Sequence, residues 1–279
     1  MKVLPNDVIE TPDGRGLHCR TWGDSDSDRV FVVVHGLGEH SGYYADFGAR
    51  MAEHGYATFA YDQHGHGKSP GRRGDAPSFQ TLVDDISVAF DVARQRWKRS
   101  RLAALGHSMG ANLLLRNLIE RDDSQVDCAV VTNPMILPPD PPTKPQAFAA
   151  WLTGKLIPHF RLSASIEPTE LTQDTDVLQD LADDPLVHNQ LALGIAGPLV
   201  SSGHWLLENA DRLRTRVLML IGEEDELCHA ASNQQFADAA GETCRRQVFA
   251  GLRHNLLLEE ERDQVYQTLL DWIQHTNPT

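Results

Sequence analysis

Short apolar runs rich in β-branched residues alternate along this chain with longer runs of helical spacing. That alternation admits few folds. Residues 30–34, 56–61, 102–105, 126–131, 217–221 and 246–249 read as strands. Between them, Leu82, Ile86, Ala89, Phe90, Ala93 and Trp97 fall on one helical face, and residues 111–119, 205–213, 233–240 and 262–273 carry similar patterns. Strands separated by helices predict an α/β domain, a mostly parallel central sheet with helices on both faces.

The rhythm breaks after Asn133. Residues 135–146 hold five prolines and no period, which excludes a central strand or an unbroken helix. Helical spacing returns at Phe148, Trp151, Leu152 and Leu156, among acidic turns and apolar clusters that continue to about residue 200. Residues 135–203 therefore read as an inserted, mostly helical cap. Residues 1–134 and 204–279 form the core domain. An insertion at the carboxyl edge of a parallel sheet lies over the ligand crevice.

Composition narrows the function. The 279 residues carry a formal net charge of −14, which argues against nucleic acid as a partner. The longest apolar runs are far too short for a transmembrane helix, and the N-terminus lacks the apolar stretch of a secretory signal. A soluble, cytoplasmic protein is expected, with transient contact at a membrane surface left open. Cys19, Cys128, Cys228 and Cys244 are too far apart in sequence for a CxxC pair or a zinc knuckle and read as reduced, buried thiols.

The most specific local signal is Gly106-His107-Ser108-Met109-Gly110, which follows one apolar strand and opens a helix. A glycine on each side of the serine relieves crowding where the chain turns sharply, so the turn projects the Ser108 hydroxyl above the sheet. The following helix aims its amino end at developing negative charge. A second donor is expected from His35-Gly36-Leu37-Gly38-Glu39-His40, directly after the first strong strand. The backbone N–H groups of Leu37 and Met109 would form an oxyanion hole.

A nucleophilic serine needs a base, and the base an orienting acid, here in the chain order serine, acid, histidine. The strand at 217–221 runs into Gly222-Glu223-Glu224-Asp225-Glu226, and these four acids are not separable by composition. His254 lies on the loop after the last strand. His204 comes too early, His229 shares the acidic loop and His275 sits near the end of the chain. Gly67-Lys68-Ser69 mimics the end of a phosphate loop, but the first glycine of that motif would fall on Asp62. His64 and His66 lack further metal-ligand spacing and are expected to brace a loop. No cofactor or metal is implied.

Together these segments resemble the α/β-hydrolase superfamily, and within it the monoacylglycerol lipase and lysophospholipase-like group, filed with serine aminopeptidase-type hydrolases. The resemblance runs through residues 35–40, 62–69, 71–74, 106–110 and 222–225, then His254 with Glu259 five residues on, and spans about residues 10 to 275. It implies Ser108 as nucleophile, His254 as base and, three residues after a glycine, Asp225 as acid. It further implies a small-molecule lipid ester as substrate, with a monoacylglycerol first and a lysophospholipid, a broader ester or an aminoacyl amide as alternatives. Met135, Ile136, Leu137, Trp151, Leu152, Leu156 and Ile157 are the apolar cap residues expected near an acyl slot. Ala111 and Arg253 depart from the group's pattern, at a frequent glycine and a frequent aromatic position.

Overall fold

Strand β4 (Arg29–Val34) is buried on both sides, which a run of β-branched residues satisfies only in the middle of a covered sheet. In the computed structural model, which describes residues 3–4, 7–98, 100–121 and 126–276, β4 occupies that place. Before it come β1 (Val3–Leu4), β2 (Val8–Glu10) and β3 (Gly16–Trp22). After it come β5 (Ala57–Tyr61), β6 (Arg101–His107) and β7 (Cys128–Thr132). The insertion holds β8 (Arg161–Ser163) and β9 (Gln190–Ala192), and past it lie β10 (Arg216–Gly222) and β11 (Cys244–Phe249). The nine-stranded main sheet has the order β1-β2-β3-β5-β4-β6-β7-β10-β11. Its six strands from β5 to β11 pair in parallel. The first three are antiparallel additions at one edge.

Helices cover both faces. Val30, Val32 and Val34 share one apolar cluster with Leu82 and Ile86 of α2 (Phe79–Arg96), with Leu114 of α3 (Ser108–Glu120) and with Phe236 of α8 (Ala230–Ala240). Phe31 and Val33 point the other way, into a cluster with Phe47 and Met51 of α1 (Ala45–Glu53) and Leu269 of α9 (Arg262–Thr276). All four cysteines are free and buried. The antiparallel edge was not anticipated. In β3 only Leu17 and Cys19 are fully buried, so its apolar signal is too thin to read.

Between β7 and β10 the chain also forms α4 (Lys144–Leu156), α5 (Pro168–Leu171), α6 (Thr175–Asp183) and α7 (Leu193–Asn209). Strands β8 and β9 pair antiparallel as a small separate sheet. Helix α7 starts well before the expected residue 205 and crosses position 203 without a break. Pro198 and several glycines mask it in sequence, and packing on the core holds it together, with Ile195, Leu199 and Leu206 buried. No helix among the described residues is long and apolar enough to cross a membrane.

Candidate active site

Strand β6 passes straight into α3 at Ser108, and the turn is strained. Ser108 has φ = 51°, in a region that L-residues with a side chain rarely adopt. Gly110 lets this turn close against the end of β4. A Cβ there would lie 2.2 Å from the Val34 carbonyl oxygen and 2.3 Å from that of His35. Gly36 makes the second close approach, since a Cβ on it would sit 3.3 Å from the Ser108 Cβ. The loop after β4 is thereby brought beside the serine. Leu37, Met109 and Ser108 all line one cavity, and Met109 belongs to the first turn of α3, where backbone N–H groups lack intrahelical acceptors.

The loops after β10 and β11 supply an acid and a base. Asp225 Oδ1 lies 2.9 Å from His254 Nδ1, and each side chain is only 4% exposed. The Leu227 N–H also donates to Asp225 Oδ1 at 2.9 Å. Glu223, Glu224 and Glu226 are exposed, so the turn itself separates Asp225 from its acidic neighbours. The competing histidines lie elsewhere. His204 Nε2 contacts the Pro142 carbonyl at 3.2 Å, His229 Nδ1 the Ser232 hydroxyl at 2.7 Å, and His275 the Asp271 carbonyl. With Nδ1 engaged by Asp225, Nε2 is the ring nitrogen that His254 can offer to a reacting group.

Asn133, which the sequence reading missed, ties the two loops together. Its amide Nδ2 donates to the carbonyls of His254 at 2.6 Å and Arg253 at 3.1 Å, while its Oδ1 accepts from the Gly222 N–H at 2.9 Å. Its φ of 42° is one that asparagine tolerates better than most residues, so an asparagine at the end of a parallel strand was the available signal. Of the two histidines expected to brace a loop, His66 contacts the His64 carbonyl at 3.1 Å and its ring packs against those of His35 and His188, whereas Nδ1 of His64 is buried with no partner among the described residues.

Asp225, Cys228 and His254 present ligand atoms within 4.8 Å of one another. They fit a resident metal poorly. Burial pushes the Cys228 thiol well above its ordinary pKa, and His254 Nδ1 is already held by Asp225, so an ion would dismantle the acid–base pair.

The cavity measures about 690 Å³ and opens onto Ser108 and His254. Ile166, Leu171, Leu181, Val187, Leu191 and Leu199 give its cap side an apolar stretch, interrupted by polar groups such as Glu170 and Asp184. This corrects the expected set of slot residues. Of the seven, Met135 lines the cavity. Ile136 and Leu137 are buried in the apolar cluster of the core instead. Trp151 lies on α4, against Phe148 and beneath the Lys155 ammonium. Leu152, Leu156 and Ile157 face outward, at 45%, 75% and 48% exposure. Helical spacing identified an apolar face on α4 but carries no information on whether that face looks in or out. Phe148 on the same helix is exposed too, as are Phe160 and Leu162 farther along the chain.

Charges at the cavity are acidic. Glu39, Glu170, Asp184 and Glu226 line it, and no lysine or arginine does among the described residues. Arg253 stands outside, donating from Nη1 to the Thr169 carbonyl of the cap at 2.6 Å. It thus braces the base loop against α5. Two backbone bonds join the same segments. The Asn255 N–H donates to the Leu171 carbonyl at 2.7 Å, and the His254 N–H to the Glu170 carbonyl at 3.4 Å.

Comparison with known proteins shows the family of the chain and its fold. A family model described as serine aminopeptidase, S33, matches residues 25–261. An abhydrolase domain-containing protein of Dictyostelium discoideum is 32% identical over 267 residues. That match covers 94% of this chain, which spans only 28% of the Dictyostelium protein's length. The monoacylglycerol lipase of Mycolicibacterium smegmatis is 27% identical over 252 residues, covering 90% of this chain and 89% of that protein. Among solved structures, the Paleococcus ferrophilus monoacylglycerol lipase superposes with a TM-score of 0.84 at 23% identity, covering 94% of this chain and 99% of that one.

Proposed function

The chain belongs to the serine aminopeptidase S33 family of α/β-hydrolases, a family of serine hydrolases, and on that premise we propose that it hydrolyses monoacylglycerols to fatty acid and glycerol. The observation that carries this reading is the cavity. It has an apolar wall beside Ser108 and offers no cation to a phosphate among the described residues. An uncharged glycerol headgroup suits that lining better than a phosphorylated one. Residues 135–203 act as the cap that closes over the acyl chain.

In this mechanism His254 Nε2 takes the Ser108 proton as the hydroxyl oxygen attacks the ester carbonyl. The carbonyl electron pair moves onto oxygen, where the N–H groups of Leu37 and Met109 hold it. The tetrahedral species collapses, and His254 gives its proton to the departing glycerol oxygen. Water, deprotonated by the same imidazole, then attacks the acyl-enzyme. A second collapse frees the fatty acid and returns the proton to Ser108. Asp225 keeps Nδ1–H in place and stabilises the imidazolium formed in each step.

The test is a series of monomeric esters of about two to ten carbons, below their critical micelle concentrations. Each methylene moved from water to an apolar wall contributes about 0.8 kcal/mol, so four more methylenes give up to about two-hundredfold in kcat/KM. A rising series, with glycerol esters exceeding matched lysophosphatidylcholine, is the expected result. A flat or falling series would remove the lipid reading. Glu170 and Asp184 favour a second reading. Both come from the cap, line the cavity and could receive a free amino terminus. Aminoacyl amides turned over faster than the esters would support it.

The exposed row Phe148, Leu152 and Leu156 on α4 fits a lipid surface, the source of such a substrate. With a net charge of −14, attraction to anionic headgroups is disfavoured and apolar contact must supply the binding. Cosedimentation with phosphatidylcholine vesicles should fall several-fold in Leu156→Asp, whose kcat on a soluble ester stays near that of the native protein. Equal cosedimentation would contradict the docking.

A further inference from the structure

Glu39 belongs to the loop after β4, but it has no role in the two-step reaction. Its carboxylate is nonetheless buried, with 9% of the side chain exposed. Oε2 accepts from the Gly36 N–H at 2.8 Å and from the Tyr44 hydroxyl at 3.0 Å. Oε1 accepts from the Asn255 amide at 3.1 Å and lies 3.5 Å from His107 Nε2. Three of these partners are chain neighbours of catalytic groups. Gly36 precedes Leu37, His107 precedes Ser108, and Asn255 follows His254. The elements they belong to are far apart in sequence, so a single carboxylate links the oxyanion loop, the nucleophile turn and the base loop.

A second contact runs toward the base itself. The His107 ring lies 4.8 Å from the His254 ring, centroid to centroid, and its Nδ1 is 2.9 Å from the Thr132 hydroxyl. Burial pushes the His107 imidazole down to about 4, so this ring is neutral at neutral pH. Burial also opposes a charged Glu39, yet the Gly36 N–H and the Asn255 amide, which donate to it at any pH, help to hold the carboxyl below its ordinary range. The other titratable groups around the pair are Tyr43, Tyr44 and His35 near Glu39, and Asp225 and Cys228 beside His254.

We propose that Glu39 is a positioning residue that sets the oxyanion loop, the nucleophile turn and the base loop in register. Burying a carboxylate has a desolvation cost, and packing alone does not call for one here. Three of its four polar partners belong to catalytic segments, and the fourth, Tyr44, to the turn that leads into α1. The role rests on Ser108, Asp225 and His254 being the catalytic set, and it is independent of the acyl substrate.

The experiment measures kcat and KM for native protein, Glu39→Gln and Glu39→Asp on a soluble aryl ester. Thermal unfolding of each variant is recorded alongside. Glu39→Gln removes the charge at constant size. Its kcat is expected to fall about 10- to 100-fold, as small misplacements of reacting groups do. KM should stay within about threefold of native, because the loss lies in the placement of reacting groups rather than in substrate binding. Glu39→Asp keeps the charge and loses reach, so kcat falls less than in Glu39→Gln. A Glu39→Gln variant within about twofold of native overturns the proposal, being far from the loss that misplacement brings. So does a loss carried by KM with kcat unmoved, or a loss of kcat matched by a loss of folded protein. If Glu39→Gln does not fold, Asn255→Ala cuts the same link from the base loop and should lower kcat at least about tenfold, native kcat being the overturning result. Ser108→Ala on the same ester separates the two levels, since activity surviving there sinks the catalytic set and not the role of Glu39 alone.

Discussion

Ser108→Ala is expected to abolish acyl-enzyme formation and lower kcat by about 10³-fold or more, with the fold intact. The substitution removes a single oxygen atom at the cavity, and the strained turn persists because Gly110 and the end of β4 still fit together. Relief of the serine's own backbone strain is not expected, since alanine at φ = 51° is no more comfortable there. Intact mass after incubation with a fluorophosphonate reads the outcome directly. The native protein should gain one phosphonyl adduct and the variant none. Equal labelling of the variant would place the nucleophile elsewhere.

Asp225→Asn is expected to lower kcat by a similar order, about 10³-fold, while Glu224→Gln and Glu226→Gln change it by less than about threefold. The reason is the 2.9 Å contact with His254 Nδ1. An asparagine amide of the same shape can offer N–H to that nitrogen, which favours the wrong imidazole tautomer, and its neutral oxygen no longer supports the imidazolium. Glu224 and Glu226 are exposed and make no contact with Nδ1 of His254, so solvent screens their charges. Kinetics on the three folded variants would decide the matter. A larger loss at either glutamate would show that the acid has been placed wrongly.

The core was legible because its signals are local. A β-branched run such as Val30–Val34 has one way to be buried on both faces. The elbow at Ser108 needs small residues on either side wherever it occurs, and Gly106 and Gly110 stand there. Chain order then limited the base to a few histidines. The weakly patterned edge strands β1 to β3 and the interrupted helix α7 were not legible. Their stability comes from pairing and packing with distant segments rather than from their own periodicity.

Local patterns in the chain were enough for the alternating architecture, the turn at Ser108 and the short loops that carry the candidate acids and histidines. Tertiary structure decided which acid reaches which nitrogen, because the turn sends Asp225 inward to His254 and leaves Glu224 and Glu226 in solvent. It also decided which face of α4 looks outward, and so moved the apolar slot from Leu152, Leu156 and Ile157 to Ile166, Leu181 and Leu199. The links of Glu39 and Asn133 belong to the same class. Each joins segments far apart in the chain, and a contact of that kind leaves no period or spacing in sequence. It exists only once the sheet has brought the ends of β4, β6, β7, β10 and β11 to one edge.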